Sequence, residues 1–283
     1  MSVVRLGEAD LDRARDLVDR VRAEAAAVDG AEPVDEAALL ALAHHGLRGH
    51  AMWAYGDDGF ALLRGSSLDL AVAPSSRRHG VGTALAVAAL AEAPDDVTAW
   101  SHADDPAARV LADRFGFEAA RELWVMERDA APVDVSSVEG VTIRSYRDSD
   151  ADEVVRVNAA AFAHHPEQGS MDAANLAERM AEPWFDPAGL LVADSGSGLL
   201  AFHWTKQHSP EQGEVYVVAV DPAAQGRGLG KAITAAGLAH LASLGVHRIM
   251  LYVESDNAPA IATYSRLGFR HTSTHVQYAR IPG

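Results

Sequence analysis

The stretch that most limits how this chain can fold is 218–231, Val-Ala-Val-Asp-Pro-Ala-Ala-Gln-Gly-Arg-Gly-Leu-Gly-Lys. An apolar run ends at Asp221-Pro222, and apolar residues at helical spacing (Ala232, Ile233, Leu238, Leu241) follow Lys231. Between them Gly226, Gly228 and Gly230 alternate with Arg227, Leu229 and Lys231. Glycines spaced this way let several backbone N–H groups face one concavity with no Cβ in the way. A helix starting at that concavity adds the positive end of its dipole. The stretch therefore reads as a pyrophosphate seat between a strand and a helix. It lacks the Gly-Lys-Ser/Thr ending of a Walker A loop and the Gly-x-Gly-x-x-Gly order of a dinucleotide fold.

The order of elements around this seat occurs twice. In the first half a strand at 3–6 precedes a helix that Asp10 is expected to cap, with Leu11, Ala14, Leu17, Val18 and Val21 on one face. A second helix follows from about Asp35, then a hairpin of 51–55 and 60–63 around Gly56–Gly59, and a strand at 68–74. Next come a loop at 77–82, a helix at 83–93, a strand at 97–100, a helix at 106–115 and a strand at 123–126. Residues 131–140 include Pro132 and two serines without periodicity, the mark of a linker between a domain at 1–130 and another at 141–283. The second half repeats the order, from a strand at 141–146 and a helix capped by Asp150 to a closing strand at 274–279. Ala73-Pro74 to Gly82 aligns with Asp221-Pro222 to Gly230, and Arg114-Phe-Gly-Phe117 with Arg266-Leu-Gly-Phe269, at nearly equal offsets. Two copies make a tandem and not a solenoid.

Bulk properties narrow the partners. A formal net charge of −16 argues against nucleic acid and anionic membrane, both of which need a basic face. There is no cysteine, so disulfides, thiolate metal sites and cysteine nucleophiles are excluded. No apolar run reaches the roughly 18–20 residues of a membrane span, and the acidic N-terminal stretch does not read as a signal peptide. A cytoplasmic monomer is expected. His164 and His165 are adjacent, so their rings point in different directions, and no metal is expected.

Gln225-Gly-Arg-Gly-Leu-Gly230 resembles the Arg/Gln-x-x-Gly-x-Gly/Ala signature of GNAT N-acetyltransferases, and the flanking strand, the Asp-Pro, Asn257 and Tyr264 fit it. The resemblance implies an α/β chain of two tandem GNAT (acyl-CoA N-acyltransferase) domains. Each would be a mixed, mostly antiparallel sheet flanked by helices. It implies acetyl-CoA as acetyl donor, held in the second half by Val218, Ala219, Val220, Gln225, Gly226, Arg227, Gly228, Leu229, Gly230, Lys231, Asn257 and Ala260. The corresponding positions of the first half are Leu70, Ala71, Val72, Arg78, His79, Gly80, Val81, Gly82 and Thr83.

Moving acetyl from a thioester to an amine needs a base for the ammonium proton, a donor to the thioester oxygen and an acid for the departing sulfur. Glu214 opens the strand leading into the glycine loop, about four residues before the bulge that a GNAT strand makes near Val218. Its even spacing from Tyr216 and Val218 puts the three on one strand face, and it is the candidate base. Tyr264 matches the position at which GNAT enzymes place a tyrosine that donates to the coenzyme A sulfur. In the first half these two positions are Ser66 and Ala112, and Gly226 becomes Arg78. That half keeps most of a phosphate seat, either to bind acetyl-CoA or only to imitate the shape, and is not expected to catalyse.

Further stretches, 162–169, 184–187, 202–206, 213–218 and 250–257, are similar to the mycothiol-forming tandem GNAT family of actinobacteria. That resemblance implies a pseudo-disaccharide cysteine conjugate, cysteinyl-glucosaminyl-inositol, as the small-molecule amine substrate. Glu167, Lys206, Glu214 and Tyr252 would contact it, joined by Glu36 from the first half. The residues themselves leave open another amine, such as an aminoglycoside or a peptide terminus, and a non-catalytic acetyl-CoA sensor.

Overall fold

The computed structural model describes residues 2–131, 133–164 and 168–281. In chain order the elements are β1 (Val3–Leu6), α1 (Leu11–Asp29), α2 (Glu36–His44), β2 (His50–Tyr55), β3 (Gly59–Arg64), β4 (Ser67–Val72), α3 (Val81–Leu90), β5 (Thr98–Ser101), α4 (Pro106–Phe115) and β6 (Phe117–Asp129). There follow β7 (Thr142–Ser145), α5 (Ala151–Ala161), α6 (Ala173–Met180), β8 (Leu190–Asp194), β9 (Leu199–Gln207), β10 (Gln212–Val220), α7 (Leu229–Ser243), β11 (Arg248–Glu254), α8 (Ala258–Arg266) and β12 (Arg270–Arg280). These elements form two compact units.

The first unit holds the chain up to Trp124 together with residues 254–256 and the chain from Ser273. Its strands run in the order β1-β2-β3-β4-β5-β12, with β4 and β5 parallel and the other pairs antiparallel. Alternation along the strands explains the two cores. Met52, Ala54, Phe60 and Leu62 face α1, where Ala14, Leu17, Val18 and Val21 meet them. Trp53, Ala61, Leu63 and Leu68 face the other way, against Leu85 and Ala89 of α3 and Ala112 of α4. Successive residues are thus buried on opposite faces, which is why these strands are apolar throughout.

The second unit holds residues 125–253 and 257–272, with strands in the order β6-β11-β10-β9-β8-β7. Val154 and Val157 of α5 and Leu176 of α6 pack on Val192, Phe202, Trp204, Val217 and Ala219. Leu229 and Ile233 of α7 pack on the opposite face with Leu191, Ala193 and Ala201. Gly237 lets α7 approach β9 closely, since a Cβ there would overlap the His203 ring.

The break between the compact units falls inside β6 after Trp124, and the chain from Ser273 belongs to the first unit, beside the expected domains at 1–130 and 141–283. The described residues of 131–140 do contain no helix or strand. Compactness, however, is decided by strand pairing, which composition does not show. Asp10 and Asp150 also do not cap their helices with a side-chain bond. Their carboxylates accept from the backbone N–H of Gly7 (2.9 Å) and Arg147 (2.8 Å), closing the short turn before each helix. Asp35, by contrast, accepts from Ala38 N–H at 2.6 Å and caps α2.

Candidate active site

The site of the second unit is built where two strands part. β10 and β11 are parallel, and their ladder runs from Gln212↔Arg248 to Val215↔Leu251. β10 then continues to Val220 beside β9 alone, with a register shift between Val215 and Val217 that leaves Tyr216 as the extra residue of a bulge. The bulge therefore lies two residues before Val218, where the sequence placed it. It also reverses the alternation. A Cβ on Gly213 would meet Leu241 of α7, so Gly213 faces α7 and Glu214 the opposite side. Tyr216 and Val217 both pack on that opposite side, and Val218 returns to the α7 side. Glu214 and Tyr216 share a face as expected. Val218 does not.

Glu214 is buried, only 4% exposed, and lies across from Lys206 on β9 and Met250 on β11. Its Oε2 is 2.6 Å from Nε2 of His208, in the turn between β9 and β10. Lys206 Nζ lies over the rings of Trp184 (4.6 Å) and Tyr216 (5.3 Å). Trp184, Tyr216 and Trp204 contact one another at centroid distances of 5.0 to 5.9 Å. Arg179 stacks on Tyr216 and donates to its hydroxyl. The result is an aromatic wall with one carboxylate and one ammonium on paired strand positions. The sequence does not single out His208, Trp184 and Arg179 as neighbours of Glu214 and Tyr216, because only the hairpin register and the bulge bring them here.

Beyond the wall β10 turns at Asp221, whose carboxylate accepts from Ala223 N–H (2.9 Å) and from Arg156 (2.6 Å). The Arg156 hydrogen bond holds the Asp221 carboxyl below its ordinary range, so the corner stays ionised and fixed. Gly226 and Gly228 then adopt φ of +78° and +80°, with no atom within 4 Å of where a Cβ would stand. The first helical bond of α7 runs from Ala232 N–H to Gly228 O, which leaves the N–H groups of Leu229, Gly230 and Lys231 without an intrahelical acceptor. Open space before free N–H groups at a helix start is a seat for an anion. Gln225, Arg227 and Lys231 are exposed around it. The side chains of Leu229 and Ala219, 1% exposed each, belong to the core, so only their backbone can serve a ligand.

Tyr264 lies on α8, with its ring 5.9 Å from that of Phe269, and burial pushes its phenol up to about 12. Asn257 caps α8 by accepting from Ala260 N–H at 3.2 Å. Tyr252, on β11, is exposed. Glu36 occupies the first turn of α2 in the first unit. Glu167 lies outside the described residues.

The first unit repeats the frame without a carboxylate or a phenol at the positions of Glu214 and Tyr264. β4 and β5 also part early, after Ser67↔Thr98 and Leu68↔Ala99, and a cleft of about 100 Å³ opens between Leu70, Trp100, Leu111 and Tyr278. The β3–β4 ladder has no register shift, so β4 carries no bulge. Ser66 lies in the turn before β4, and Ala112 is buried in α4. Leu70 borders the same cleft, and a Cβ on Gly82 would touch Leu111, Val72 and Leu70. Ala71 and Val81 are buried, while Arg78, His79 and Gly80 are exposed and Thr83 lies in the first turn of α3. Arg78 adopts φ +64° and Gly80 φ +83°, so the loop keeps the shape of its counterpart. Arg77 is committed to Asp29 through two bonds of 2.8 and 2.6 Å. In β4 the buried polar residue is Asp69, held with Asp35 by Arg64 at 3.1 Å. Its burial, then the Asp35 charge, raises its carboxyl above the usual range.

No group of three or more His, Asp or Glu that could hold a metal occurs among the described residues, and no helix among them is long and apolar enough to cross a membrane. Residues 23–117 and 159–269 match the model of the Acetyltransferase (GNAT) family. A mycothiol acetyltransferase of Nocardioides sp. is 55% identical over 95% of this chain and 99% of its own length. One from Actinosynnema mirum is 49% identical over 93% and 94%. Among solved structures, a tandem GNAT protein from the clavulanic acid biosynthesis pathway superposes with a TM-score of 0.70, at 18% identity and over 100% of this chain and 99% of that one. A GCN5-related N-acetyltransferase from Sphaerobacter thermophilus gives 0.67, at 22% identity over 99% and 96%.

Proposed function

Because the chain belongs to the GNAT acetyltransferase family, with mycothiol acetyltransferases as full-length relatives, we propose that it is a mycothiol synthase. It transfers acetyl from acetyl-CoA to the cysteinyl α-amine of cysteinyl-glucosaminyl-inositol, giving mycothiol. When bound, acetyl-CoA supplies the acetyl group as a thioester, whose oxygen gathers negative charge during transfer and whose sulfur leaves needing a proton. The free N–H groups at the start of α7, with Gly226, Gly228, Arg227 and Lys231, hold its pyrophosphate.

The observation that carries the reading is a buried carboxylate, Glu214, at the point where β10 and β11 separate. Glu214 takes the proton of the acceptor ammonium, an α-amino group of pKa about 7.7–8.0, so a modest base suffices. The bulge at Tyr216 and the loss of the β11 partner free backbone N–H groups near Val218 for the thioester oxygen. Tyr264 keeps its proton well above neutral pH and donates it to sulfur. Lys206, fixed on its aromatic wall, and Tyr252 bind sugar and inositol hydroxyls, joined by Glu167. The first unit has no carboxylate or phenol at the two proton-transfer positions, so its glycine loop and cleft form at most a second, silent acetyl-CoA seat.

Incubation with acetyl-CoA and cysteinyl-glucosaminyl-inositol tests the reading, with mycothiol detected by mass spectrometry. Acetylation of aminoglycosides or peptide amines instead, with no mycothiol formed, would replace it.

A further inference from the structure

A buried carboxylate that works as a base must present one defined oxygen to the proton it removes. Glu214 sits on β10 with its carboxyl group three rotatable bonds from the backbone, and the hydrogen bond that holds that group comes from outside the strand. The structure supplies the missing constraint from the adjacent turn. His208 Nε2 lies 2.6 Å from Glu214 Oε2. The Glu214 side chain is 5% exposed and that of His208 35%, so the imidazole spans from the buried carboxylate to solvent.

The turn that carries His208 is itself tightly tied. Backbone N–H groups of His208 and Ser209 donate to Gln212 O at 2.9 and 3.3 Å, and that of Gln212 donates back to Ser209 O at 3.3 Å. The Ser209 hydroxyl accepts from the N–H groups of Glu211 and Gln212, both at 3.1 Å, and lies 3.0 Å from Glu211 Oε2. An imidazole mounted on so short and well-bonded a turn has a fixed place relative to β10.

We infer that His208 is the positioning residue for Glu214: its Nε2–H donates to Oε2 and leaves Oε1 as the oxygen that faces the acceptor amine. This rests on Glu214 being the base. The proton balance is simple. One ammonium proton goes to Oε1 and on to solvent; the neutral nitrogen forms the C–N bond as the C–S bond breaks, the sulfur takes the proton of Tyr264, and the second nitrogen proton, released as the amide forms, restores the Tyr264 phenol through solvent. His208 keeps its own proton throughout. The charged groups around the pair are Lys206 on β9, Glu211 in the turn, and Arg248 on β11, which pairs with Glu127 at 3.1 Å.

Four variants of the full chain test this, each first checked for an unchanged unfolding temperature. His208→Ala is expected to lower kcat about 10- to 100-fold, the scale of a misplaced catalytic group, with KM for acetyl-CoA unchanged. His208→Gln and His208→Asn can each attempt the same bond, and whichever retains it should recover most of that loss. In long-range ¹⁵N NMR of the wild type at neutral pH, His208 should carry its proton on Nε2, and Glu214→Gln should perturb that signal. A wild-type Nδ1–H tautomer, or kcat unchanged in His208→Ala, would overturn the assignment. If Glu214→Gln leaves kcat intact, the base reading itself fails. If it abolishes turnover while His208→Ala keeps the wild-type rate, only the present inference fails.

Discussion

Arg78 and Gly226 hold the same left-handed backbone conformation, φ +64° and +78°, at corresponding positions of the two loops. Arginine enters this region only against a steric penalty of roughly 1–2 kcal/mol, whereas glycine does not. The first loop therefore retains the shape of an anion seat at a cost that the second avoids. Arg78→Gly should raise stability by about 0.5–1 kcal/mol after the loss of chain stiffness is counted. Gly226→Ala should lower it by about 1–2 kcal/mol, since its Cβ meets open space and only backbone strain remains. Denaturant titration of the two variants measures both signs, and a destabilised Arg78→Gly would contradict this account.

Glu214→Gln keeps the size of the buried side chain and removes its basicity. Its kcat should drop by about 10²–10⁴-fold with acetyl-CoA affinity intact. Tyr264→Phe should also lower kcat. Because burial raises the Tyr264 phenol to about 12, the group stays protonated across the working range. Steady-state rates from neutral pH to about pH 10 should thus show no alkaline loss attributable to it. An alkaline limb that Tyr264→Phe removes would show the phenol to be far more acidic.

The ammonium of Lys206 is fixed by Trp184 and Tyr216. Trp184→Leu removes one ring, and a contact of this kind is worth about 0.5–2 kcal/mol. The expected result is a severalfold to roughly tenfold rise in KM for the amine, with the acetyl-CoA KM unchanged. Equal changes in both constants would mean a general loss of packing.

His102 and His275 in the first unit lie with Nδ1 atoms 3.1 Å apart. Burial lowers His102 to about 4; burial and then the His102 charge lower His275 to about 3. The unfolded chain takes up these protons near 6.5, the native state only well below. The stability contributed by the neutral pair is complete above that pH and is lost as pH falls from about 6.5 towards 4. His203, buried in the second unit and lowered to about 4, acts in the same direction. Thermal unfolding across this range should slope downward with acid, and more gently in the variant carrying His102→Phe and His275→Phe. Parallel slopes would assign the effect to other groups.

How much of this was legible in the sequence depended on whether one residue or a pairing decided the outcome. Gly226 and Gly228 declared themselves, because positive φ is where glycine is needed, and the two loops could be aligned from them. Arg78 concealed the same geometry, since no residue type announces a tolerated strain. Glu214 is singled out by its place before the loop. Its relation to Val218 is not legible there, because the bulge at Tyr216 depends on how β10 lies against β9. His208 is six residues from Glu214 and meets it only through the hairpin register. The aromatic wall likewise joins Trp184, after α6, to strands far along the chain.

The strand that lies beside β5 in the first unit, through Val276↔Ser101 to Ala279↔Thr98, is made from residues more than 170 positions later in the chain than its neighbour. During synthesis the first 124 residues leave the ribosome with one strand of their sheet still unmade. The edge of β5 stays open to other chains until residues 276–279 have been made. Early termination in the second half, or a pause there, should thus be felt first as aggregation of the half that was made earlier.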